Sequence, residues 1–487
     1  MNQKKLKLIM VFTEIALIVC MVSVFNVINS HGNIYMQKAV RQRKDSHIIK
    51  NIRGKIYDRN MISFVDSRTV NIPTPDGGLP VEKRYDSLSL LRHITGSVTG
   101  DGIGSGGLEE MYDDVLKSSG EICLNSSNDG SGKRIYNFYN NGYEKNIKKD
   151  DSLLLSIDYH IQKIAEQKLD ESGNKGAVCI MDAYSFSPLA LASRGNFDQN
   201  NVADYLNSKE GELIDRCTSS FDAGSIIKIV TVAAALENNI ADVDFQVECN
   251  GSINIGGIEF PCHQREGHGK LNMEEAFAKS CNVYFYQLGN MIGIKNIYNT
   301  MKRFSLGQRI LDLDWEKDSK SDILSNTQPN QIANIAIGQG NLLITPIQAV
   351  NMVNIIANDG VMKNSQLVSG VVGKDGVLKN DFRKYEETSV ISKATAQKIK
   401  KMMRSVMVYG TGKDYNVKNT CICAKTGTAE TGWQGDSDTK THGWFVGFFP
   451  MENPRYSISV LLEDGKSGYN AGRVFESITK EIIRQGF

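Results

Sequence analysis

Net charge is almost absent from this chain: 56 lysines and arginines face 55 aspartates and glutamates, leaving +1 at neutral pH. No basic block exceeds a short lysine run, which excludes a surface built to neutralise nucleic-acid phosphates. A dense disulfide framework is missing as well. The nine cysteines, at 20, 123, 179, 217, 249, 262, 281, 421 and 423, are scattered over the whole length, so the chain is not a small stapled scaffold. No internal repeat is evident, and only one apolar run is long enough to cross a bilayer. With 487 residues there is room for two or three domains of about 100–200 residues each.

That apolar run extends from Leu8 to Ile28 and holds a single charge, Glu14. Roughly 20 apolar residues span a bilayer. The run is longer than the ~7–15 residues of a signal-peptide core, and no small-residue cleavage pattern follows, so a signal anchor is expected. Lys4, Lys5 and Lys7 precede it, which places residues 1–7 in the cytoplasm and everything after about Asn29 outside. Glu14 is a costly group in lipid. It either meets a partner helix or sits near the cytoplasmic interface.

From His31 to Asp150 the sequence is polar and weakly periodic, with six glycines between Gly96 and Gly107 and a low-apolar insert at Asn125 to Lys133. A loose, extended region is expected here, over residues 29–150. At Asp151 the texture changes. Ser152 to Ile157 reads as a strand, Asp158 as the N-cap of a helix over Tyr159 to Leu169, and Gly176 to Asp182 with Pro188 to Ser193 as two strands joined by a tight turn. Ile226 to Leu236 is apolar nearly all round, the mark of a buried helix. Strand-like runs follow at Thr420 to Glu430, Gly443 to Phe449 and Tyr456 to Leu462, then a last helix over Ala471 to Arg484 and no C-terminal extension. Strands at both ends of a segment with helices between them predict an α/β (α+β) sandwich over residues 151–487.

Three short motifs carry the chemistry. They are Ser225-Ile-Ile-Lys228, Ser280-Cys-Asn282 and Lys425-Thr-Gly427, in that order. Ser-x-x-Lys alone says little, since Ser172 to Lys175, Ser437 to Lys440 and Ser477 to Lys480 repeat it, whereas Lys-Thr-Gly occurs once. Context separates the first motif from its copies. Ser225 stands at the head of the apolar helix, and Lys228 lies one turn on, on the same face. A lysine desolvated among Ile226, Ile227, Ile229 and Val230 loses affinity for its proton, and a neutral amine can take the proton of a serine hydroxyl. The helix N-terminus favours negative charge at the serine end. Ser280 and Asn282, on a connection between two helices, can relay a proton and hold an amide. Lys425, Thr426 and Thr428 lie on a strand whose Gly427 permits close approach of another backbone; they can bind a carboxylate. The backbone N–H groups of Ser225 and Thr428 are natural oxyanion donors, typically worth ~3 kcal/mol each.

Cys249, Cys262-His263 and His268 form a further cluster. Their spacing fits no standard zinc pattern, so a plain loop or a Cys249–Cys262 disulfide is expected, with no metal and no cofactor.

The three motifs together resemble those of β-lactamases and penicillin-binding proteins. Further segments are similar to class B penicillin-binding proteins, the monofunctional peptidoglycan D,D-transpeptidases: Arg53-Gly-Lys-Ile-Tyr-Asp-Arg-Asn60, Gly107-Leu-Glu-Glu-Met-Tyr-Asp113, Ile157-Asp-Tyr-His-Ile-Gln162, Gly338-Gln-Gly340, Gly410-Thr-Gly412 and Trp444-Phe-Val-Gly-Phe-Phe-Pro450. The resemblance implies an elongated N-terminal pedestal at 29–150 and a transpeptidase domain at 151–487. It implies that Ser225 is acylated by a stem peptide ending in D-Ala-D-Ala, or by a β-lactam, with Lys228 as base. Ser280 and Asn282 then serve as relay and substrate contact, and Lys425, Thr426, Gly427 and Thr428 line the carboxylate and oxyanion side. The acceptor would be an amine of a second stem, the substrate a stem peptide or its lipid-linked precursor. The partner implied is a polytopic membrane glycosyltransferase of the elongation, division or sporulation class. Two departures stand out: Ala223 and Ile229 occupy positions where the family commonly has proline. The competing readings are a D,D-carboxypeptidase or β-lactamase-type hydrolase, and a membrane-anchored scaffold or β-lactam sensor that does no chemistry.

Overall fold

The structure, a computed structural model, describes residues 3–72, 79–86, 89–117, 120–127, 142–147, 151–319, 322–373, 375–434, 439–463 and 468–487. Most of the low-apolar insert expected at Asn125 to Lys133 lies outside these. Contacts divide the chain into two units, residues 1–53 with 117–149, and residues 54–116 with 150–487.

The first unit begins with one long helix, α1 (Gln3–Arg43), of which Gln3–Met36 is long and apolar enough to cross a membrane. Leu8, Phe12 and Phe25 are exposed along it. The expected span from Leu8 to Ile28 falls within this stretch. A three-stranded antiparallel sheet follows, with Gly120–Ser127 between Lys44–Ile52 and Gly142–Ile147.

The second unit is built on a five-stranded antiparallel sheet. Its strands are β1 (Gly176–Asp182), β2 (Pro188–Arg194), β3 (Cys423–Gln434), β4 (Thr439–Phe449) and β5 (Tyr456–Leu462), in the spatial order β2-β1-β5-β4-β3. Side chains alternate between two buried faces. Val178, Ile180, Phe445, Ile458 and Val460 join one core with α2 (Tyr159–Ser172) and α7 (Gly468–Gln485). Cys179, Met181, Trp444, Val446 and Leu461 join the other, with α3 (Lys228–Glu237), α4 (Asn282–Ile292), α5 (Pro346–Ala357) and α6 (Lys393–Val408). Burial on both faces explains why these strands read as continuous apolar runs. The α/β sandwich expected from the strand and helix pattern is the one observed.

Residues 54–116 differ from the loose region the sequence suggests. Ile56, Phe64, Leu91, Ile94, Leu108 and Leu116 are buried. Their polar neighbours are buried with them and satisfied. Arg84 Nε donates to Glu109 Oε1 at 2.5 Å, Tyr85 Oη to the same oxygen at 3.1 Å, and Arg84 Nη2 to the Gly54 carbonyl at 2.9 Å. The Leu91 N–H donates to Glu166 at 2.7 Å, and the Asp58 carboxylate accepts from the Tyr159 N–H at 3.0 Å. Paired buried polar groups permit a compact segment without an apolar period, which is why composition alone reads as loose.

Phe445 and Phe475, both fully buried, pack with ring centroids 4.7 Å apart and fasten α7 to the sheet. Phe475→Ala is expected to lower the unfolding free energy by about 3–5 kcal/mol, read from denaturant unfolding. A loss under about 1 kcal/mol would mean that the sheet does not depend on this helix.

Candidate active site

The chain approaches Ser225 through a backbone-to-backbone contact. The Gly224 N–H donates to the Gly338 carbonyl at 2.8 Å. A Cβ on Gly338, where φ is +80°, would stand 2.0 Å from the Gly224 carbonyl oxygen. Ser225 itself lies in a 3-10 turn, Gly224–Ile227, and the α-helix proper starts at Lys228. The sequence pattern puts Ser225 at the head of the helix; in the structure one 3-10 turn intervenes, and the Lys228 side chain is fully buried. Ala223 is fully buried, and its N–H donates to the Leu342 carbonyl at 3.2 Å. A proline at 223 would have no N–H to give.

Ser280 joins the short helix Met273–Ala278 to α4 and holds φ at +54°. That strained conformation turns its hydroxyl and carbonyl to the same side. Lys228 Nζ donates to the Ser280 carbonyl at 2.8 Å, to Ser280 Oγ at 3.2 Å and to Asn282 Oδ1 at 2.7 Å. Lys425 Nζ comes from the opposite side. It donates to Ser280 Oγ at 2.9 Å and to the Thr426 carbonyl at 2.9 Å. Neither lysine side chain reaches solvent. Phe285 and Phe277 offer them ring faces, at 5.1 Å and 5.7 Å. Burial pushes Lys228 down to about 7. Burial and the neighbouring Lys228 hold Lys425 well below the usual lysine range.

β3 is the outer strand of the sheet, and the turn that carries Ser225 packs against it. A Cβ on Gly427 would stand 2.9 Å from Ile226 Cγ2. Ser225, Ser280, Asn282, Thr426, Gly427 and Thr428 thus line one open groove of about 1020 Å³. The structure brings together all eight residues singled out in the sequence, with Lys228 and Lys425 buried beneath the groove rather than lining it. Among the described residues the Ser225 hydroxyl makes no hydrogen bond, and Lys228 donates to Ser280 and Asn282 instead.

Sequence reasoning gave Thr411 no role. Its hydroxyl meets that of Thr426 at 2.6 Å, and its N–H donates to the Ala278 carbonyl at 3.1 Å. The signal was present in Gly410-Thr-Gly412, noted as a landmark without a function. Tyr286, Asn334, Glu430 and Tyr469, which carry no sequence pattern, also line the groove.

An α/β sandwich with a serine, two buried lysines and an outer Lys-Thr-Gly strand defines the penicillin-recognising class of serine proteins. The family described as "Penicillin binding protein transpeptidase domain" matches residues 176–484, and the chain belongs to it, within class B. Among its relatives, penicillin-binding protein PbpB of Mycolicibacterium smegmatis is 29% identical over 83% of this chain and 65% of that protein. Stage V sporulation protein D of Bacillus subtilis is 30% identical over 82% of this chain and 63% of that protein. The chain therefore spans just under two thirds of the length of these relatives. Penicillin-binding protein 3 of Mycobacterium tuberculosis, solved in complex with ampicillin, superposes with a TM-score of 0.73 at 26% identity, covering 91% of this chain and 96% of that one.

The depressed Lys228 value links stability to pH. An unfolded lysine binds its proton up to about pH 10.5, the folded one only to about 7. Between those limits the unfolded chain holds more protons, so folding becomes more favourable as pH rises. Relative to Lys228→Met, the wild type is expected to gain up to about 1.4 kcal/mol per pH unit from about pH 7 to 9, read from denaturant unfolding of both chains. A pH-independent difference would contradict a desolvated lysine.

Proposed function

We propose that this chain is a serine D,D-transpeptidase that cross-links peptidoglycan by acyl transfer. The observation that carries the reading is the convergence of two buried lysines on Ser280 beside an open groove that exposes Ser225. In the proposed first half-reaction the neutral Lys228 amine accepts the Ser225 hydroxyl proton as Oγ attacks the carbonyl carbon of a D-Ala-D-Ala bond. The developing oxyanion accepts hydrogen bonds from the backbone N–H groups of Ser225 and Thr428. Ser280 passes the proton from Lys228 to the departing amine of the terminal residue, and Ser225 is left as an ester. The amine of a second stem then attacks that ester, loses its proton along the reverse route and frees Ser225.

The hydroxyls of Thr426 and Thr428 meet the substrate's terminal carboxylate, and a bound carboxylate restores the charge of Lys425 from beneath. A stem peptide laid along β3 gains main-chain hydrogen bonds from the outer strand. A β-lactam would acylate Ser225 by the same first step. We further assign residues 151–487 to the transpeptidase domain and 29–150 to the pedestal. α1 is the single-pass anchor, with its N-terminus cytoplasmic and the groove on the outer face. A polytopic membrane glycosyltransferase that supplies glycan strands is the fitting partner.

The full chain in detergent is expected to take up fluorescent penicillin covalently, with the ester mapped to Ser225 by mass spectrometry. Ser225→Ala should remove the label, and Lys228→Ala should slow acylation by about 10²–10⁴-fold. With a D-Ala-D-Ala peptide and an amine acceptor, the aminolysed product should exceed the hydrolysed one. Hydrolysis alone would replace the transferase reading with a carboxypeptidase.

Acylation should also respond to pH with a definite sign. Only the unprotonated Lys228 can accept a proton, so the rate should rise as pH increases through about 7 and then level off. A rate that falls over that range would exclude Lys228 as the base.

A further inference from the structure

Behind the Ser280 loop lies a cluster that the acyl-transfer chemistry does not use. Cys249, Cys262, His268 and Cys281 bring one donor atom each within 4.8 Å of all the others. Cys249, Cys262 and Cys281 are buried free thiols. The disulfide considered between Cys249 and Cys262 is therefore not formed. His263 Nδ1 lies 3.9 Å from Cys262 Sγ but is not one of the four.

The spacing matches a coordination tetrahedron. Ligands bound at ~2.3 Å for sulfur and ~2.05 Å for nitrogen stand ~3.8 Å apart for sulfur–sulfur pairs and ~3.6 Å for sulfur–nitrogen pairs. Cys249 Sγ and Cys262 Sγ each lie 3.6 Å from His268 Nδ1, and Cys262 Sγ lies 4.0 Å from Cys281 Sγ. Two backbone segments hold this arrangement. Val247–Cys249 pairs with Gly269–Leu271, with Cys249 opposite Gly269. The hairpin Ser252–Ile255 with Ile258–Pro261 closes between the first two cysteines. The Cys262 N–H donates to the Gly251 carbonyl at 2.7 Å and the His268 N–H to the Cys249 carbonyl at 3.0 Å.

We propose that Cys249, Cys262, His268 and Cys281 bind one structural zinc ion. Three soft sulfurs and an imidazole in a tetrahedral array select zinc over hard cations. All four positions are filled by protein, so no open position remains for a catalytic water. Binding releases three thiol protons and leaves the site with a net charge of −1. The ion ties the hairpin to the segment that presents Ser280 and Asn282 to Lys228, because Cys281 stands between those two residues. Cys281 is thus a positioning residue, and its effect on the groove passes through Ser280 and Asn282.

The test does not depend on acyl transfer. Full chain expressed with added zinc and purified in detergent is analysed by elemental analysis and native mass spectrometry. About one zinc per chain is expected, falling to under about a tenth in Cys281→Ser and His268→Ala. His268→Cys, which restores a fourth soft ligand, and Cys421→Ser, at an exposed cysteine outside the cluster, should both keep the metal. Cobalt(II) loaded in place of zinc should give intense thiolate-to-cobalt absorption and tetrahedral visible bands. Wild-type chain that carries no metal, carries iron alone, or shows a Cys249–Cys262 disulfide overturns the proposal. So does a cobalt form without thiolate bands. Penicillin labelling of the chelated chain then reports separately on the groove.

Discussion

Two lysine ammonium groups without access to solvent share one serine hydroxyl. Lys228 reaches Ser280 Oγ from α3 and Lys425 reaches it from β3, at 3.2 Å and 2.9 Å. Two full charges so close, in a medium of low polarity, are strongly unfavourable, so the pair is driven to shed protons. The rest of the second unit serves to keep this arrangement in place. The sheet fixes Lys425, the buried helix fixes Lys228, and the positive φ of Ser280 directs both of its oxygens at Lys228. A hydroxyl accepts two hydrogen bonds and donates one. Ser280, with both lysines donating to it, can still donate its own proton outward. The poise of the site is therefore a matter of burial and not of any added acid or base.

This constraint also explains the form of the groove. Its open side is polar and broad, lined by Ser225, Ser280, Asn282, Thr426 and Thr428. Its closed side is two cores of apolar side chains packed on opposite faces of one sheet. Strand β3 belongs to both sides. Val446 stands opposite Lys425 and Trp444 opposite Gly427 in the register of β4, so the same strand that anchors the lysine presents Thr426 and Thr428 to the groove.

The residues that meet at the groove were legible because three motifs of three or four residues carry them, and short motifs survive folding as local units. Their order along the chain was informative; their individual patterns were not. The elements were less legible where tertiary contact decides. Ser225 sits in a 3-10 turn because Gly224 must meet Gly338, more than a hundred residues away, and nothing local announces that meeting. Residues 54–116 read as loose because their packing rests on buried pairs such as Arg84 with Glu109 rather than on apolar periodicity. Thr411 gained meaning only beside Thr426. The cysteine cluster was hidden for a different reason. Cys281 lies inside Ser280-Cys-Asn282, where its neighbours already had an explanation, and the spacings between 249, 262, 268 and 281 are long-range ones that follow from strand pairing.

The order of strands in the sheet has a consequence in time. β1 sits beside β5, yet 273 residues lie between Asp182 and Tyr456. A chain that emerges from the ribosome at roughly 5–20 residues per second leaves β1 and β2 as a bare apolar hairpin for roughly 15–55 s. During that interval one edge of β1 carries unpaired N–H and C=O groups, open to any passing strand. Lys425 has not yet been made, so Ser280 lacks one of its two lysines. Ser225 is early in the chain and the strand that faces it late, so the groove is complete only when synthesis has nearly ended. The topology acts as a clock, and a nascent chain stalled before residue 423 has no outer strand to its groove and leaves a hairpin edge open.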